Sequence, residues 1–162
     1  MRQLILFRHA KAVPETATGD DFDRALAERG REDAPRVAKA LLEAGAAPDV
    51  VLVSEARRTR ETWELVRPRF PKADVRFVRD LYLAPAELLM AEAGRSGAER
   101  VMIVAHNPGL YELASRFAHR NNTLESRVRA GMPTASAALF ERKNDEASWK
   151  LQAFLTPKDG AG

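Results

Sequence analysis

Short apolar runs alternate with segments of helical periodicity along this chain. "QLILF" (3–7) and "DVVLV" (49–53) have the length and aliphatic content of buried strands. "DVRFV" (74–78) alternates apolar and polar residues, as a half-buried strand does. The segments that predict strands are 3–7, 49–53, 74–78, 99–105, 136–141 and 149–155, the last two forming a hairpin across a polar turn.

Helical spacing is strongest between these strands. Apolar positions within 34–42 recur at helical intervals, and Gly45 follows where a C-terminal cap is expected. Pro35 is expected in the first turn of this helix, or as the break that ends an earlier one. Three further helices are predicted around Thr59–Val66 before Pro68, from Pro85 to near Gly94, and over 110–117 behind "NPG" at 107–109.

This alternation predicts an α/β three-layer sandwich with a mixed, mostly parallel central sheet and helices on both faces. A chain of 162 residues fits one compact domain, which we place at 1–157, with a frayed tail at 158–162. No apolar stretch approaches the roughly 20 residues of a membrane span, and no secretory signal opens the chain. We therefore expect a cytoplasmic protein without membrane contact.

The amino-acid composition excludes several kinds of functional site. The chain has no cysteine, which excludes disulfides, thiolate zinc sites and cysteine nucleophiles. Its net charge of +3 comes from basic and acidic residues that are mixed throughout, without a groove-reading motif, so no nucleic-acid partner is expected. The cluster Arg57, Arg58 and Arg60 fits either a solvated helix face or an anion site, since guanidinium groups bind phosphate bidentately.

Polar side chains follow three of the predicted strands. Arg8 and His9 follow the first, Ser54 to Arg58 follow the second, and His106 follows the strand at 99–105. Ligands of such folds bind at the carboxyl ends of the strands, so these residues are expected to meet. Neither the His-Glu-x-x-His spacing nor another ligand cluster is present, so no metal and no cofactor are expected.

Two readings of these residues remain open. His9 and His106 taken singly fit structural histidines at strand ends. Together with Arg8, Arg58 and a helix N-terminus, they make an anion pocket in which a neutral imidazole attacks phosphorus and the other groups balance charge on the oxygens. That chemistry is phosphoryl transfer through a phosphohistidine.

Three sequence motifs that contain these residues resemble those of a known family, which supports the interpretation as an anion pocket. "FRHAKA" (7–12), "LVSEARRTRET" (52–62) and "VAHNPGL" (104–110) resemble, in order, the motifs of the histidine phosphatase superfamily, which includes the phosphoglycerate mutases. The segments that resemble its SixA-type phosphohistidine phosphatases are "FRHAKA", "DFDRALAERG" (21–30), "DLYLAPAELL" (80–89) and "WKLQAFLTP" (149–157). The resemblance spans nearly the whole chain and implies a phosphoglycerate mutase-like fold.

The resemblance also implies roles. His9 becomes the nucleophile, Arg8 and Arg58 bind phosphate oxygens, and His106 stabilises the developing charge, with no metal involved. Asp80 is a possible acid, although a turn residue before Leu81 fits it equally well. Three of the remaining candidates are assigned no contact with substrate: Arg57 is expected to be solvated, Asn107 to cap a helix, and His119 to lie on the surface. The others keep a possible role at the site. Ser54 is either an N-cap or a hydrogen-bond donor to phosphate, Lys11 contacts either a ligand or solvent, and Glu87 is another possible acid.

The expected substrate is a phosphorylated protein, and a histidine-phosphotransfer domain is one such partner. Imidazole leaves more easily than an alkoxide, so the lack of a clear acid favours phosphohistidine. The short segment between 78 and 85 leaves little room for a lid, and an open pocket admits a side chain of another protein. A phosphatase of small phosphate esters is the alternative, and a non-catalytic phosphate-binding module is a third reading.

Overall fold

The protein, described here by a computed structural model over residues 1–119 and 122–159, contains one six-stranded sheet with helices on both faces. The strands are β1 Gln3–Arg8, β2 Val50–Ser54, β3 Asp74–Val78, β4 Arg100–Ala105, β5 Ala137–Glu141 and β6 Lys150–Leu155. The helices are α1 Glu28–Glu43, α2 Arg57–Val66, α3 Ala86–Arg95, α4 Gly109–Phe117 and α5 Asn122–Arg129. Short 3-10 turns cover Asp21–Asp23, Arg67–Arg69 and Arg79–Leu81.

The sheet is mixed, as predicted. Its strand order is β3-β2-β4-β1-β5-β6, in which β1 to β4 pair in parallel and β5 runs antiparallel to both neighbours. The predicted terminal hairpin is therefore confirmed. Because β2, β4 and β1 are adjacent and parallel, their carboxyl ends lie side by side at one edge of the sheet. This edge carries the polar residues that the sequence singles out.

The alternation of side chains along β1 separates two cores. Leu4 and Leu6 belong to a cluster with residues of α3, α4 and α5 on one face, whereas Ile5 and Phe7 belong to a cluster with α1 and α2 on the other. All four side chains are fully buried. Such a strand is apolar on both faces because helices cover both, which confirms the three-layer α/β sandwich.

Helix α1 corrects the expectation for Pro35. The helix begins at Glu28, and Pro35 lies in its interior rather than in its first turn. Proline has no N–H to donate to the preceding turn, which costs helix stability. The buried face of this helix, with Ala34 and Val37 inaccessible to solvent, compensates for that loss. At the other end, Gly45 has φ of +103° and closes the helix, as predicted.

Helix α5 was not predicted from the sequence. It spans eight residues, most of them polar, and Val128 is the fully buried side chain among those described. The helix is stabilised by packing against α4 and β6 rather than by a strong apolar stripe. A pattern with so few apolar positions does not indicate a helix by periodicity.

Residues at the end of the chain are partly described. Asp159 accepts hydrogen bonds from the backbone N–H and the hydroxyl of Thr156 and pairs with Arg127. The remainder of the predicted tail, 160–162, lies outside the described residues. Within the described ranges, no helix combines the length and apolar character that crossing a membrane requires.

Candidate active site

A cavity of about 470 Å³ opens at the carboxyl edge of the sheet. Its lining comes from the ends of β1 and β4, the start of α2, the loop after β1, the 3-10 turn Asp21–Asp23, the segment after the 3-10 turn Arg79–Leu81, and the loop before β5. The residues that line it are Arg8, His9, Lys11, Ala12, Asp21, Arg24, Arg58, Leu83, His106, Asn107 and Thr134. The four residues predicted to form the site, Arg8, His9, Arg58 and His106, are thus brought together.

His9 is held neutral and oriented. Its Nδ1 donates to the carbonyl oxygen of Ala10 at 2.8 Å, which leaves the lone pair on Nε2. The N–H of Ala10 in turn donates to Oγ1 of Thr62 in α2 at 3.0 Å. Burial, with the nearby positive charge of Arg58, lowers the pKa of His9 to about 3. The ring is therefore uncharged at neutral pH.

Arg58 donates a hydrogen bond to the other nitrogen of this ring. It is 3% exposed, and its Nε lies 3.4 Å from Nε2 of His9. Its two other nitrogens donate to Asp21, one to the carbonyl oxygen at 2.8 Å and one to Oδ2 at 3.0 Å. A phosphoryl group on His9 would therefore sit beside a buried guanidinium that Asp21 already orients.

Asp21 is the residue that sequence reasoning missed. Besides Arg58, its carboxylate accepts a hydrogen bond from the hydroxyl of Tyr82 and pairs with Arg24 at 3.0 Å. The hydrogen bond from Tyr82 and the charge of Arg58 lower the pKa of Asp21 to about 2. Asp21 is the first residue of the segment "DFDRALAERG", which resembles the SixA type. That resemblance was the one sequence feature that pointed to Asp21 as a site residue.

His106 lies next to His9, with ring centroids 5.3 Å apart. Its Nε2 is 2.8 Å from Oγ of Ser54, the last residue of β2, and the edge of the Tyr82 ring packs against it. Burial and the neighbouring His9 lower the pKa of His106 to about 3. Ser54 is not the N-cap that the sequence suggested, because that position belongs to Ala56 and has no side-chain cap.

Arg8 and Asn107 share one backbone acceptor. Nη1 of Arg8 donates to the carbonyl oxygen of Met132 at 2.8 Å, and Nδ2 of Asn107 donates to the same oxygen at 3.0 Å. Asn107 therefore does not cap α4, whose N-cap is Pro108. Burial and the charge of Arg58 lower the pKa of Arg8. Its buried Nε has no partner among the described residues.

The other candidates, apart from Lys11, lie outside this arrangement. Arg57 is exposed and pairs with Glu61 at 3.1 Å, which agrees with a solvated residue. Lys11 is exposed at the rim of the cavity, and His119 is exposed after α4. Asp80 is exposed on the turn after β3 and is not among the residues that line the cavity.

Glu87 pairs with Arg116 at 2.6 Å on the surface of α3. It is likewise absent from the cavity lining. Within residues 1–119 and 122–159, no group of three or more His, Cys, Asp or Glu side chains is arranged to hold a metal ion. The titratable side chains that line the cavity are two neutral histidines, three arginines, one lysine and one carboxylate.

Known proteins resemble this chain in sequence and in fold. The family model of the histidine phosphatase superfamily (branch 1) matches residues 4–82. An uncharacterized chloroplastic protein of Arabidopsis thaliana is 29% identical over 96% of this chain and 78% of its own. A structure from Agrobacterium tumefaciens, assigned as phosphohistidine phosphatase SixA, superposes with a TM-score of 0.84 at 29% identity, over 96% of this chain and 98% of that one.

A further solved structure, that of the protein histidine phosphatase SixA complexed with tungstate, superposes with a TM-score of 0.77 at 19% identity. It covers 97% of this chain and 98% of its own. The chain belongs to the histidine phosphatase superfamily. Within that superfamily it is of the SixA type, and both the family and the fold support phosphatase activity.

Proposed function

We propose that this protein removes the phosphoryl group from phosphohistidine on another protein, through a covalent phosphohistidine at His9. The observation that carries the proposal is the state of His9, which is neutral, donates through Nδ1 and keeps its lone pair on Nε2, where Nε of Arg58 donates to it over 3.4 Å. An imidazole in this state is a nucleophile without a further base. The metal-free character of the reaction is part of the same proposal.

In the first step, the lone pair of His9 Nε2 attacks phosphorus. The bond between phosphorus and the substrate imidazole breaks, and the leaving nitrogen takes up a proton from solvent. Arg8 and Arg58 balance the negative charge on the equatorial oxygens, and His106 lies within reach of the same group. The His9 ring becomes a cation on phosphorylation, which the carbonyl oxygen of Ala10 stabilises through Nδ1–H.

In the second step, water attacks the phosphorus of phospho-His9. The bond between phosphorus and Nε2 breaks, inorganic phosphate leaves, and the electron pair returns to Nε2. The water proton passes to phosphate or to solvent. His9 is a good leaving group because its other nitrogen stays protonated throughout. The cycle ends with the neutral ring that began it.

The carboxylate in the cavity favours an imidazole leaving group over an alkoxide. Among the described residues that line the cavity, Asp21 is the only carboxylate, and its pKa is lowered to about 2. It is therefore ionised at neutral pH and has no proton to give to a leaving oxygen. Small phosphate esters remain the alternative substrate class, for which an acid such as Asp80 would have to approach the site.

The test is transient labelling of the enzyme with a radioactive phosphohistidine donor, followed by separation in acid and in alkali. Wild type should carry label that is stable to alkali and lost in acid, and His9→Ala should carry none. His119→Ala is the matched control, because it removes an exposed histidine outside the cavity. Equal label on His9→Ala and wild type would contradict the proposal.

A substrate comparison separates the alternatives. We expect kcat/KM for a phosphorylated histidine-phosphotransfer domain to exceed that for a sugar phosphate by roughly 100-fold or more, given the missing acid. The reverse order would favour the phosphate ester alternative. Tight binding of phosphate without turnover of either substrate would favour a binding module.

A further inference from the structure

The contact between Ser54 and His106 is buried on both sides. Ser54 is inaccessible to solvent and His106 is 2% exposed. Oγ of Ser54 and Nε2 of His106 are 2.8 Å apart, a distance at which either atom can be the donor. The other ring nitrogen, Nδ1, is buried without a partner among the described residues. Ser54 is therefore the one side chain whose hydrogen bond can determine which nitrogen of His106 carries the proton, among the residues described.

Counting hydrogen-bonding groups distinguishes the two possible arrangements. If Nε2–H donates to Oγ, the hydroxyl hydrogen of Ser54 has no acceptor, since His106 is the one hydrogen-bond partner of Oγ among the described residues. The lone pair of Nδ1 is then unsatisfied as well. If Oγ–H donates to Nε2 instead, Nδ1–H alone lacks a partner. Unsatisfied buried polar groups are costly, so the second arrangement is favoured.

We infer that Ser54 is a positioning residue that holds His106 as the Nδ1–H tautomer, so that the neutral ring donates a hydrogen bond to the phosphoryl group. The inference rests on the proposed function for its consequence, but not for the tautomer itself. A neutral ring with its lone pair at Nδ1 would repel a phosphoryl oxygen. The serine therefore decides whether His106 attracts or repels the anion.

This arrangement explains how a neutral His106 stabilises an anion. Burial and its neighbours lower the pKa of His106 to about 3, so the ring gains no charge near neutral pH. A donor that is directed in advance at a developing charge stabilises the transition state without reorganisation. Nδ1 is the nitrogen left for this role, because Ser54 occupies Nε2 and Nδ1 has no partner among the described residues.

The direct test is nitrogen-15 NMR of the histidine side chains in wild type at pH 7. The chain has three histidines, so the spectrum of His106→Gln assigns the ring by difference. We expect a protonated, pyrrole-type Nδ1 and an unprotonated, pyridine-type Nε2 for His106. A protonated Nε2, or an even mixture of tautomers, would overturn the inference whether or not the enzyme turns over substrate.

Variants of Ser54 test the effect of the His106 tautomer on catalysis. Ser54→Ala should lower kcat by roughly 10- to 100-fold with KM changed less than about threefold, because the lost donor acts mainly in the transition state. Its His106 signals should shift toward the Nε2–H tautomer. Ser54→Thr retains a hydroxyl and should recover most of kcat. Ser115→Ala is the matched control, since it removes a buried hydroxyl that has no hydrogen-bond partner among the described residues.

The outcomes separate this inference from the proposed function. Wild type without phosphatase activity but with Nδ1–H at His106 would support the inference and contradict the proposed function. An unchanged kcat in a folded Ser54→Ala would overturn the role of the serine. If Ser54→Ala does not fold, the tautomer in wild type and the rate of Ser54→Thr still decide the question.

Discussion

At the scale of single residues, Thr62 connects helix α2 to the loop that carries His9. Its Oγ1 accepts the N–H of Ala10 at 3.0 Å and donates to the carbonyl oxygen of Arg58 at 2.7 Å. The residue that it holds, Ala10, is also the one whose carbonyl oxygen accepts Nδ1–H of His9. Two proposed site residues, His9 and Arg58, are thus positioned by one threonine.

Thr62→Val keeps the shape of this side chain and removes both hydrogen bonds. We expect the free energy of unfolding to fall by about 1–3 kcal/mol, because the buried N–H of Ala10 loses its acceptor. We also expect kcat to fall by roughly tenfold as the orientation of His9 loosens. Urea unfolding and steady-state kinetics measure the two effects.

Thr59→Val is the matched control for this variant. Thr59 is equally buried, in the same helix, and donates to the carbonyl oxygens of Ser54 and Ala56 rather than to the loop of His9. It should lose stability with little change in kcat. Equal loss of kcat in the two variants would mean that Thr62 has no particular effect on His9.

At the scale of elements, the close approach of α4 to the loop after β3 positions His106. A Cβ on Gly109 would lie 2.0 Å from the carbonyl oxygen of Ala84 and 3.2 Å from a methyl group of Leu89. Any side chain at this position therefore pushes α4 away from a rigid backbone. Because α4 begins at Gly109, directly after the segment that carries His106, the shift reaches the site.

Gly109→Ala should lower the free energy of unfolding by about 1–3 kcal/mol through this overlap. Activity should fall as well, since His106 and the loop bearing Leu83 line the same cavity. The control is Gly94→Ala in α3, where a Cβ meets nothing within 4 Å. Alanine is the better helix former, so that variant should be as stable as wild type or more stable by up to about 1 kcal/mol. Thermal unfolding of both variants checks this prediction.

At the scale of the whole molecule, two buried neutral histidines make stability depend on pH. Burial lowers the pKa of both His9 and His106 to about 3 in the folded chain, from 6.5. As the pH falls below 6.5, the unfolded chain binds protons that the folded chain does not bind until about pH 3. Stability is therefore full above pH 6.5 and is lost progressively below it.

Between pH 7.5 and 5.0, each histidine should reduce the free energy of unfolding by roughly 2 kcal/mol, measured by urea denaturation. His9→Gln should remove about half of this pH dependence, and the exposed His119→Gln should leave it unchanged. The carboxyl of Asp21, whose pKa is lowered to about 2, titrates below this interval. An equal pH dependence in the double variant His9→Gln/His106→Gln would contradict the assignment.

The neutral state of His9 also predicts how activity depends on pH. Attack requires uncharged His9, and a pKa of about 3 keeps the ring uncharged down to about pH 4. A loss of activity between pH 7 and pH 5 would therefore come from a group other than His9. The sequence alone indicated the direction of this shift from the nearby arginines, but burial is its largest cause.

The sequence predicted strands and helix ends, which depend on local patterns of residues. Runs such as "QLILF" indicate strands because a strand covered on both faces is apolar throughout, and Gly45 indicates a helix end because its φ is positive. The interior position of Pro35 and helix α5 were missed, since both depend on packing that outweighs local preference.

By itself the sequence determined the six strands, helices α1 to α4, the α/β class and which residues follow the strand ends. Only the tertiary structure decided the partners of those residues. Asp21 reaches Arg58 across 37 positions, and Ser54 reaches His106 across 52. Hydrogen bonds and burial depend on distance in space, which parallel strand pairing creates and which no periodicity along the chain records.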